Sequence, residues 1–228
     1  MKSNKQDRIK WRKLDNSAKI FPISSGKKYS TVFRLSAVLN ETVNPNILEQ
    51  AVQMALNRYD FFRVRLKKGF FWHFLEENTK PPIISKENNY PCKYINQKEN
   101  NNYLFKVTYF KNKINIDIFH VLTDGNNGNL FFKEIVYCYL ELSHSKEFKK
   151  DVRVIKNVDF NIEDSYMQNY NKHLSSKSSL KKPYRIKGTK LGLGAISVIH
   201  QMFDVEQFKC ICNEKRGYSY SISNGSTD

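Results

Sequence analysis

The amino-acid sequence predicts a mixed α/β fold, in which helices cover a sheet. Segments whose apolar residues alternate with other residues indicate strands with one buried face. Segments whose apolar residues recur three and four positions apart indicate amphipathic helices. The two kinds of segment interleave along the 228 residues, which is typical of a layered α/β domain.

The N-terminal part predicts an irregular segment followed by a strand. Residues 1–28 are basic and lack regular spacing, and Trp11 and Leu14 are the expected anchors of this segment. Residues 30–39 alternate well, so they predict a strand with one apolar face.

A helix and a hairpin are predicted next. Asn44 is expected to cap a helix, because a proline follows it and proline suits the first helical position. Apolar residues at helical spacing then predict an amphipathic helix over residues 45–58. Residues 61–66 and 70–76 predict two short strands, joined by a turn that contains Gly69.

Two further strands lead into a second helix. Residues 103–110 and 113–120 predict strands joined by Lys111-Asn112, and the isoleucines of the second strand share one face. Residues 128–142 are strongly apolar and predict a helix.

The C-terminal third gives weaker signals. Residues 144–182 predict little regular structure, while residues 184–190 and 195–203 predict strands. Residues 205–215 predict a helix, with Asp204 as its N-cap.

Composition excludes several protein classes. Hydrophobic residues make up 40% of the chain and aromatic residues 14%, which is too much apolar material for a disordered chain. No apolar run approaches the roughly 20 residues that cross a bilayer, so no membrane span is expected. The N-terminus lacks the apolar stretch of a secretory signal, and the expected compartment is therefore the cytoplasm.

The net charge of +16 raises the question of nucleic-acid binding. The charges are spread along the chain, and no helix-turn-helix, RRM or zinc-finger signature is present. A solvated, Lys-rich surface is therefore the favoured interpretation, and no specific nucleic-acid partner is expected. A basic cleft that attracts an anionic, nucleotide-bearing thioester also stays open.

The cysteines do not predict a disulfide framework or a metal site. Cys210 and Cys212 are too close together for an ordinary zinc pair, and the four cysteines are interpreted as thiols that are partly buried. No His, Cys, Asp or Glu cluster has metal-ligand spacing, so neither a metal nor a bound cofactor is expected.

The run HVLTDG is the most informative stretch, since a strand ends and a helix begins there. His120 has a side chain that can take a proton near neutral pH, with a reference pKa of about 6.5. Asp124 can cap the helix or pair with an arginine, and Gly125 permits a backbone angle that other residues resist. Taken alone, the pattern is a common structural turn.

HVLTDG resembles the HxxxDG motif of the chloramphenicol-acetyltransferase-like superfamily, which includes nonribosomal-peptide condensation domains and alcohol O-acetyltransferases. Residues 44–78 resemble the opening helix, short strand and hairpin of bacterial alcohol acetyltransferase-like proteins. Residues 164–170 and 184–215 resemble the later part of their first half. The resemblance extends from about Arg8 to Ser223.

The resemblance implies the N-terminal half of a two-layer sandwich, with a mixed sheet and flanking helices. Residues 1–180 would form the N-terminal subdomain, and residues 181–228 the crossover and the start of an incomplete second subdomain. The implied reaction transfers an acyl group, acetyl above all, from the co-substrate acyl-CoA to an alcohol or an amine. A lone half is expected to be weakly active, and its exposed inner face predicts self-association.

The resemblance also assigns roles to single residues. His120 would be the general base, and Gly125 the motif glycine. Asp124 would be structural and pair with Arg63, with Arg65 as the alternative partner. Condensation domains usually carry a second histidine where this chain has phenylalanine, which favours acyl transfer over peptide condensation. A half that binds a partner without catalysis, or that uses carrier-protein thioesters, remains the alternative.

Overall fold

The structure is a computed structural model that describes residues 11–27, 29–145, 188, 202 and 204–214. The chain divides into two compact units, Met1–Pro183 and Tyr184–Asp228. That the first unit is one subdomain of a larger fold stays a prediction.

The described part of the first unit contains strands in two sheets, three α-helices and short 3-10 turns. The strands are β1 (Trp11–Lys13), β2 (Val32–Val38), β3 (Val64–Lys68), β4 (His73–Glu77), β5 (Ile84–Lys86), β6 (Phe105–Phe110) and β7 (Lys113–Phe119). The helices are α1 (Phe21–Ser24), α2 (Pro45–Arg58) and α3 (Gly125–Ser143), and the 3-10 turns are Ala18–Ile20, Asp60–Phe62 and Gln97–Glu99.

The larger sheet has the strand order β2-β7-β6-β5, and helices α2 and α3 pack against each other beside it. β5 runs parallel to β6, whereas the other neighbours are antiparallel, so the sheet is mixed. In β7 the three isoleucines are fully buried on the face that α3 covers. The predicted α/β class, with a mixed sheet and flanking helices, is confirmed.

Helix α2 has the bounds that its sequence predicts. The Asn44 side chain accepts hydrogen bonds from the backbone N–H of Asn46 at 3.0 Å and of Ile47 at 3.4 Å, as expected of an N-cap. The buried residues of α2 recur at helical spacing and are fully inaccessible: Leu48, Ala51, Val52, Ala55 and Leu56.

The smaller, antiparallel sheet has the order β1-β4-β3, and its hairpin differs from the prediction. Phe61 and Phe62 lie in a 3-10 turn, because Phe62 turns inward to stack on Phe131 of α3 at a centroid distance of 4.0 Å. The returning strand begins at His73, since a four-residue turn closes between Gly69 and Trp72, with the Gly69 N–H donating to the Trp72 carbonyl at 2.7 Å.

The N-terminal segment is anchored by one of its two predicted residues. Leu14 is buried in the core. Trp11 is exposed, which corrects the prediction, because it lies on strand β1 at the edge of the smaller sheet and contacts Phe74 only edge-on.

In the second unit the structure describes helix α4 (Val205–Glu214). Its predicted cap is confirmed, since the Asp204 carboxylate accepts from the Gln207 N–H at 2.9 Å. The strands predicted over residues 184–190 and 195–203 lie outside the described residues. Among the described helices, none is long and apolar enough to cross a membrane.

Candidate active site

His120 is the first residue after β7, and its backbone is tied to the strand beside it. The His120 N–H donates to the carbonyl of Thr31, the residue before β2, at 3.0 Å. Because side chains alternate along a strand, His120 continues the isoleucine face of β7, on the side of α3. The sheet thereby fixes the position of the His120 backbone and the face of the sheet on which its imidazole lies.

Two phenylalanine rings contact the imidazole. Phe21 of α1 lies nearly parallel to it, at a centroid distance of 5.1 Å and an interplanar angle of 17°. Phe33 of β2 lies 4.9 Å away and tilted by 52°. The His120 side chain is half-buried, and within residues 11–27 and 29–145 no group forms a hydrogen bond with its ring nitrogens. The arrangement holds the ring in place by aromatic contact.

Gly128 is the glycine that the site requires, and it was not predicted from the sequence. A Cβ atom at Gly128 would lie 2.9 Å from Cζ of Phe33 and 3.0 Å from Cδ1 of Ile118. The absence of a side chain lets α3 approach the sheet and press on the ring that touches His120. By contrast, Gly125 has open space where a Cβ would lie, and it has no left-handed backbone angle. The prediction that Gly125 adopts a backbone angle that other residues resist is therefore wrong.

Asp124 acts as the N-cap of α3. Its carboxylate accepts a hydrogen bond from the Asn127 N–H at 2.9 Å, and its side chain is exposed. The sequence is compatible with both capping and arginine pairing for Asp124, and the structure shows capping. The N-cap position also sets the start of α3 three residues earlier than predicted.

The predicted ion pair between Arg63 and Asp124 is wrong. Arg63 donates from Nη2 to Oδ1 of Asn57 at 2.7 Å, because the 3-10 turn places it just before β3, near the end of α2. The alternative partner, Arg65, binds Glu76 across the hairpin at 2.6 Å. Neither guanidinium reaches the motif carboxylate.

The buried arginine–aspartate pair of this region joins Arg34 and Asp117. Arg34 donates from Nε to Oδ1 at 2.8 Å and from Nη2 to Oδ2 at 2.6 Å, and its third nitrogen binds Glu87. The two side chains are 12% and 8% exposed. Burial by itself lowers the pKa of Arg34, but the hydrogen bonds and charges of Asp117 and Glu87 outweigh it and raise that pKa above its usual value.

This pair belongs to a polar network on the face of the sheet opposite the helices. Ser36 donates to Asn115 at 2.7 Å, Asn115 donates to Glu87 at 3.2 Å, and the Cys92 N–H donates to Asp117 at 3.2 Å. The sequence held one signal for it, since Arg34 and Ser36 alternate with apolar residues just as Asn115 and Asp117 do.

Two cavities border the sheet in the described part of the chain. One of about 350 Å³ lies over the polar network and is lined by Arg34, Asp117 and the cations Lys27, Lys93 and Lys106. The other, of about 260 Å³, lies between β2 and α3 and is lined largely by apolar side chains. His120 lines neither of them.

No metal centre is formed by the residues that the structure describes. No group of three or more His, Cys, Asp or Glu side chains there could hold a metal ion.

Comparisons with known proteins identify the fold. No protein-family model matches the chain, and no curated protein matches it. Among solved structures, a substituted starter condensation domain of rhizomide synthetase RzmA in complex with C8-CoA matches with a TM-score of 0.50 and 12% identity. The match covers 59% of this chain and 36% of that chain.

Two further structures give similar coverage. The starter condensation domain of RzmA matches with a TM-score of 0.48 and 12% identity over 59% of this chain and 38% of that chain. Polyketide synthase associated protein 5 from Mycobacterium tuberculosis matches with a TM-score of 0.43 and 14% identity over 59% and 34%. The two RzmA structures are condensation domains, whose fold the sequence resemblance implies, and this chain spans less than two fifths of the length of each of the three neighbours.

Proposed function

We propose that this chain is part of an acyltransferase that moves an acyl group from a CoA thioester to an alcohol or an amine. One observation carries the proposal: His120 stands at the strand–helix junction of a condensation-type fold, held by two aromatic rings. The C8-CoA bound by a structural neighbour supports acyl-CoA as the donor.

In the proposed reaction His120 acts as a general base. The acceptor gives its proton to a ring nitrogen of His120 while its oxygen or nitrogen attacks the thioester carbonyl carbon. A C–O or C–N bond forms and the C–S bond breaks. The proton then passes from His120 to the departing CoA sulfur, so the imidazole returns to its starting state.

The neighbouring residues position the base. Phe21 and Phe33 fix the plane of the imidazole, and Phe21 covers one of its faces. The pair of Arg34 and Asp117 ties β2, which carries Phe33, to β7, which ends directly before His120. These residues affect the proposed reaction only by positioning His120. This chain would therefore contribute the general base and the residues that hold it in place.

The finer assignment is acetyl transfer to an alcohol, as in the alcohol O-acetyltransferases that the sequence resembles. It rests on that resemblance, and Phe119, which stands where condensation domains carry a second histidine, favours acyl transfer over peptide condensation. A panel of thioesters tests it: acetyl-CoA and octanoyl-CoA as donors, and alcohols and amines of equal chain length as acceptors.

The first experiment measures thiol release from these donors for the wild-type chain, His120→Ala and His144→Ala. We expect His120→Ala to lower kcat by about 10²–10⁴-fold, as loss of a general base does. His144→Ala is the matched control, because His144 sits at the far end of α3 and binds Glu41. Its rate should equal that of the wild type.

A second measurement does not depend on turnover, which the sequence predicts to be slow for a lone half. The ring-proton NMR signals of His120, assigned by comparison with His120→Ala, should shift when octanoyl-CoA is added, whereas those of His144 should not. Equal thiol release by wild type and His120→Ala, or no release together with no shift at His120, would overturn the proposal.

A further inference from the structure

The turn between β3 and β4 presents three consecutive aromatic side chains to solvent. Phe70 is 93% exposed, Phe71 82% and Trp72 62%. The rings contact one another, with centroids 4.8 Å apart for the two phenylalanines and 6.2 Å apart for Phe71 and Trp72. The hydrogen bond from Gly69 to the Trp72 carbonyl closes the turn, so this cluster, the aromatic tip, has a defined shape.

Cations stand directly behind the aromatic tip. In the first pair of strand residues Lys68 lies opposite His73, and in the next row Lys67 and Lys13 flank Phe74. Acidic residues of the described strands begin further back, at Glu76, which is two rows beyond Phe74 and pairs with Arg65 at 2.6 Å and with Lys67 at 4.0 Å. With about 3.4 Å per residue along a strand, the lysines lie roughly 3–7 Å behind Gly69 and Trp72, the two ends of the turn.

We infer that the aromatic tip inserts into the interfacial layer of a lipid bilayer that carries anionic headgroups. Aromatic rings favour this layer, and interfacial elements bury their apolar part to a depth of about 5–10 Å. At that depth Lys13, Lys67 and Lys68, behind the aromatic tip, reach the lipid phosphates. The net charge of +16 favours the same surface.

The geometry favours a membrane over single-stranded nucleic acid. Proteins that bind single strands stack successive bases along a basic groove that follows the backbone. Here the three rings lie within one four-residue turn and contact one another, so they do not follow a groove. An apex of aromatic rings with cations behind it matches a surface that is apolar below and anionic above.

The chain carries two tryptophans, which makes the test direct. Trp11→Phe leaves Trp72, within the tip, as the sole tryptophan. We expect its emission to shift to shorter wavelength and to be quenched by brominated acyl chains when phosphatidylserine-containing vesicles are added. Phosphatidylcholine vesicles should give a much smaller effect.

Vesicle co-sedimentation of the full chain measures the contributions of rings and charges. Phe70→Ala and Phe71→Ala should each weaken binding about tenfold, because each removes a ring from the apolar layer. Lys67→Gln and Lys68→Gln should each weaken binding to the anionic vesicles about fivefold. Phe110→Ala is the matched control, since Phe110 is an exposed aromatic beside another lysine turn. It should bind as the wild type does.

Each of the following results would contradict the membrane inference. If anionic vesicles leave the Trp72 emission of the Trp11→Phe variant unchanged, the membrane inference is wrong. Binding that survives loss of both phenylalanines would also contradict it. A Trp72 shift caused by single-stranded DNA, or by higher protein concentration without lipid, would identify nucleic acid or a second copy as the partner. These outcomes are independent of acyl transfer, because His120→Ala should bind vesicles normally.

Discussion

Two aspartates near the end of β7 differ in burial and in partner. Asp117 forms a buried, two-point pair with Arg34, whereas Asp124 is exposed and caps α3. Removing one partner of a buried ion pair commonly costs about 3–5 kcal/mol, and losing an N-cap about 1 kcal/mol.

We therefore expect Asp117→Ala to lower the free energy of unfolding by about 3 kcal/mol, since Glu87 still pairs with Arg34. Asp124→Ala should lower it by about 1 kcal/mol. Urea unfolding followed by circular dichroism measures both values. A larger loss for Asp124→Ala than for Asp117→Ala would mean that the motif carboxylate has a charged partner after all.

Two glycines of α3 make a second comparison. Gly128→Ala places a methyl group 2.9 Å from the Phe33 ring, so we expect a loss of about 1–3 kcal/mol from overpacking, and a shifted His120 ring signal. Gly125→Ala meets open space, and alanine favours the helix, so this variant should be as stable as the wild type or more stable by about 0.5–1 kcal/mol. Thermal unfolding of both variants provides the measurement. The reverse order of stability would contradict the close approach at Gly128.

The sequence allowed the position of His120 to be predicted, because the end of a strand and the start of a helix are visible in local spacing. It did not allow the partners of arginines to be predicted. Arg34, Arg63 and Arg65 all lie near strands, and which carboxylate each one meets depends on the register between strands that are distant in sequence. The pair of Arg34 and Asp117 joins residues 83 positions apart.

At the scale of elements, a hydrogen bond connects the two long helices. The Tyr139 hydroxyl of α3 accepts from the N–H of Asn44, the N-cap residue of α2, at 2.8 Å. It satisfies a donor at the start of α2 that the helix itself leaves unpaired.

Tyr139→Phe should lower the free energy of unfolding by about 1 kcal/mol, because the hydroxyl is lost while the buried ring remains. Tyr109→Phe on strand β6 is the control, since its hydroxyl forms no hydrogen bond with the described residues. Its stability in urea should match that of the wild type. Equal losses in the two variants would contradict a stabilising contribution of the hydrogen bond between Tyr139 and Asn44.

Element bounds were predictable where one face is buried along a whole segment. α2 begins and ends as predicted because its cap and its apolar spacing agree. The hairpin was predicted less well, since a run of aromatic residues has high β-propensity whether it is paired or lies in a turn. Phe70, Phe71 and Trp72 lie in the turn because the strands pair Lys68 with His73.

For the whole molecule, the positive charge predicts weak, unspecific attraction to polyanions. We expect any binding of double-stranded DNA to fall steeply between low and physiological salt and to show no sequence preference. Fluorescence anisotropy with two unrelated duplexes over a salt series measures this. A complex that resists salt and prefers one duplex would reassign the chain to the sequence-specific binders.

Self-association also stays a prediction at this scale. Sedimentation velocity over a range of protein concentrations tests it, and a sedimentation coefficient that does not change with concentration would contradict it.

The ring of Phe21 has a consequence for which acceptors the proposed site can use. It lies parallel to one face of the imidazole, whereas the lone pair that takes a proton lies in the imidazole plane. An acceptor that approaches in this plane has room for a bulky group only on the side away from Phe21. Mirror-image secondary alcohols place that group on opposite sides, so the site should acylate one enantiomer faster, and Phe21→Ala should bring the two rates together.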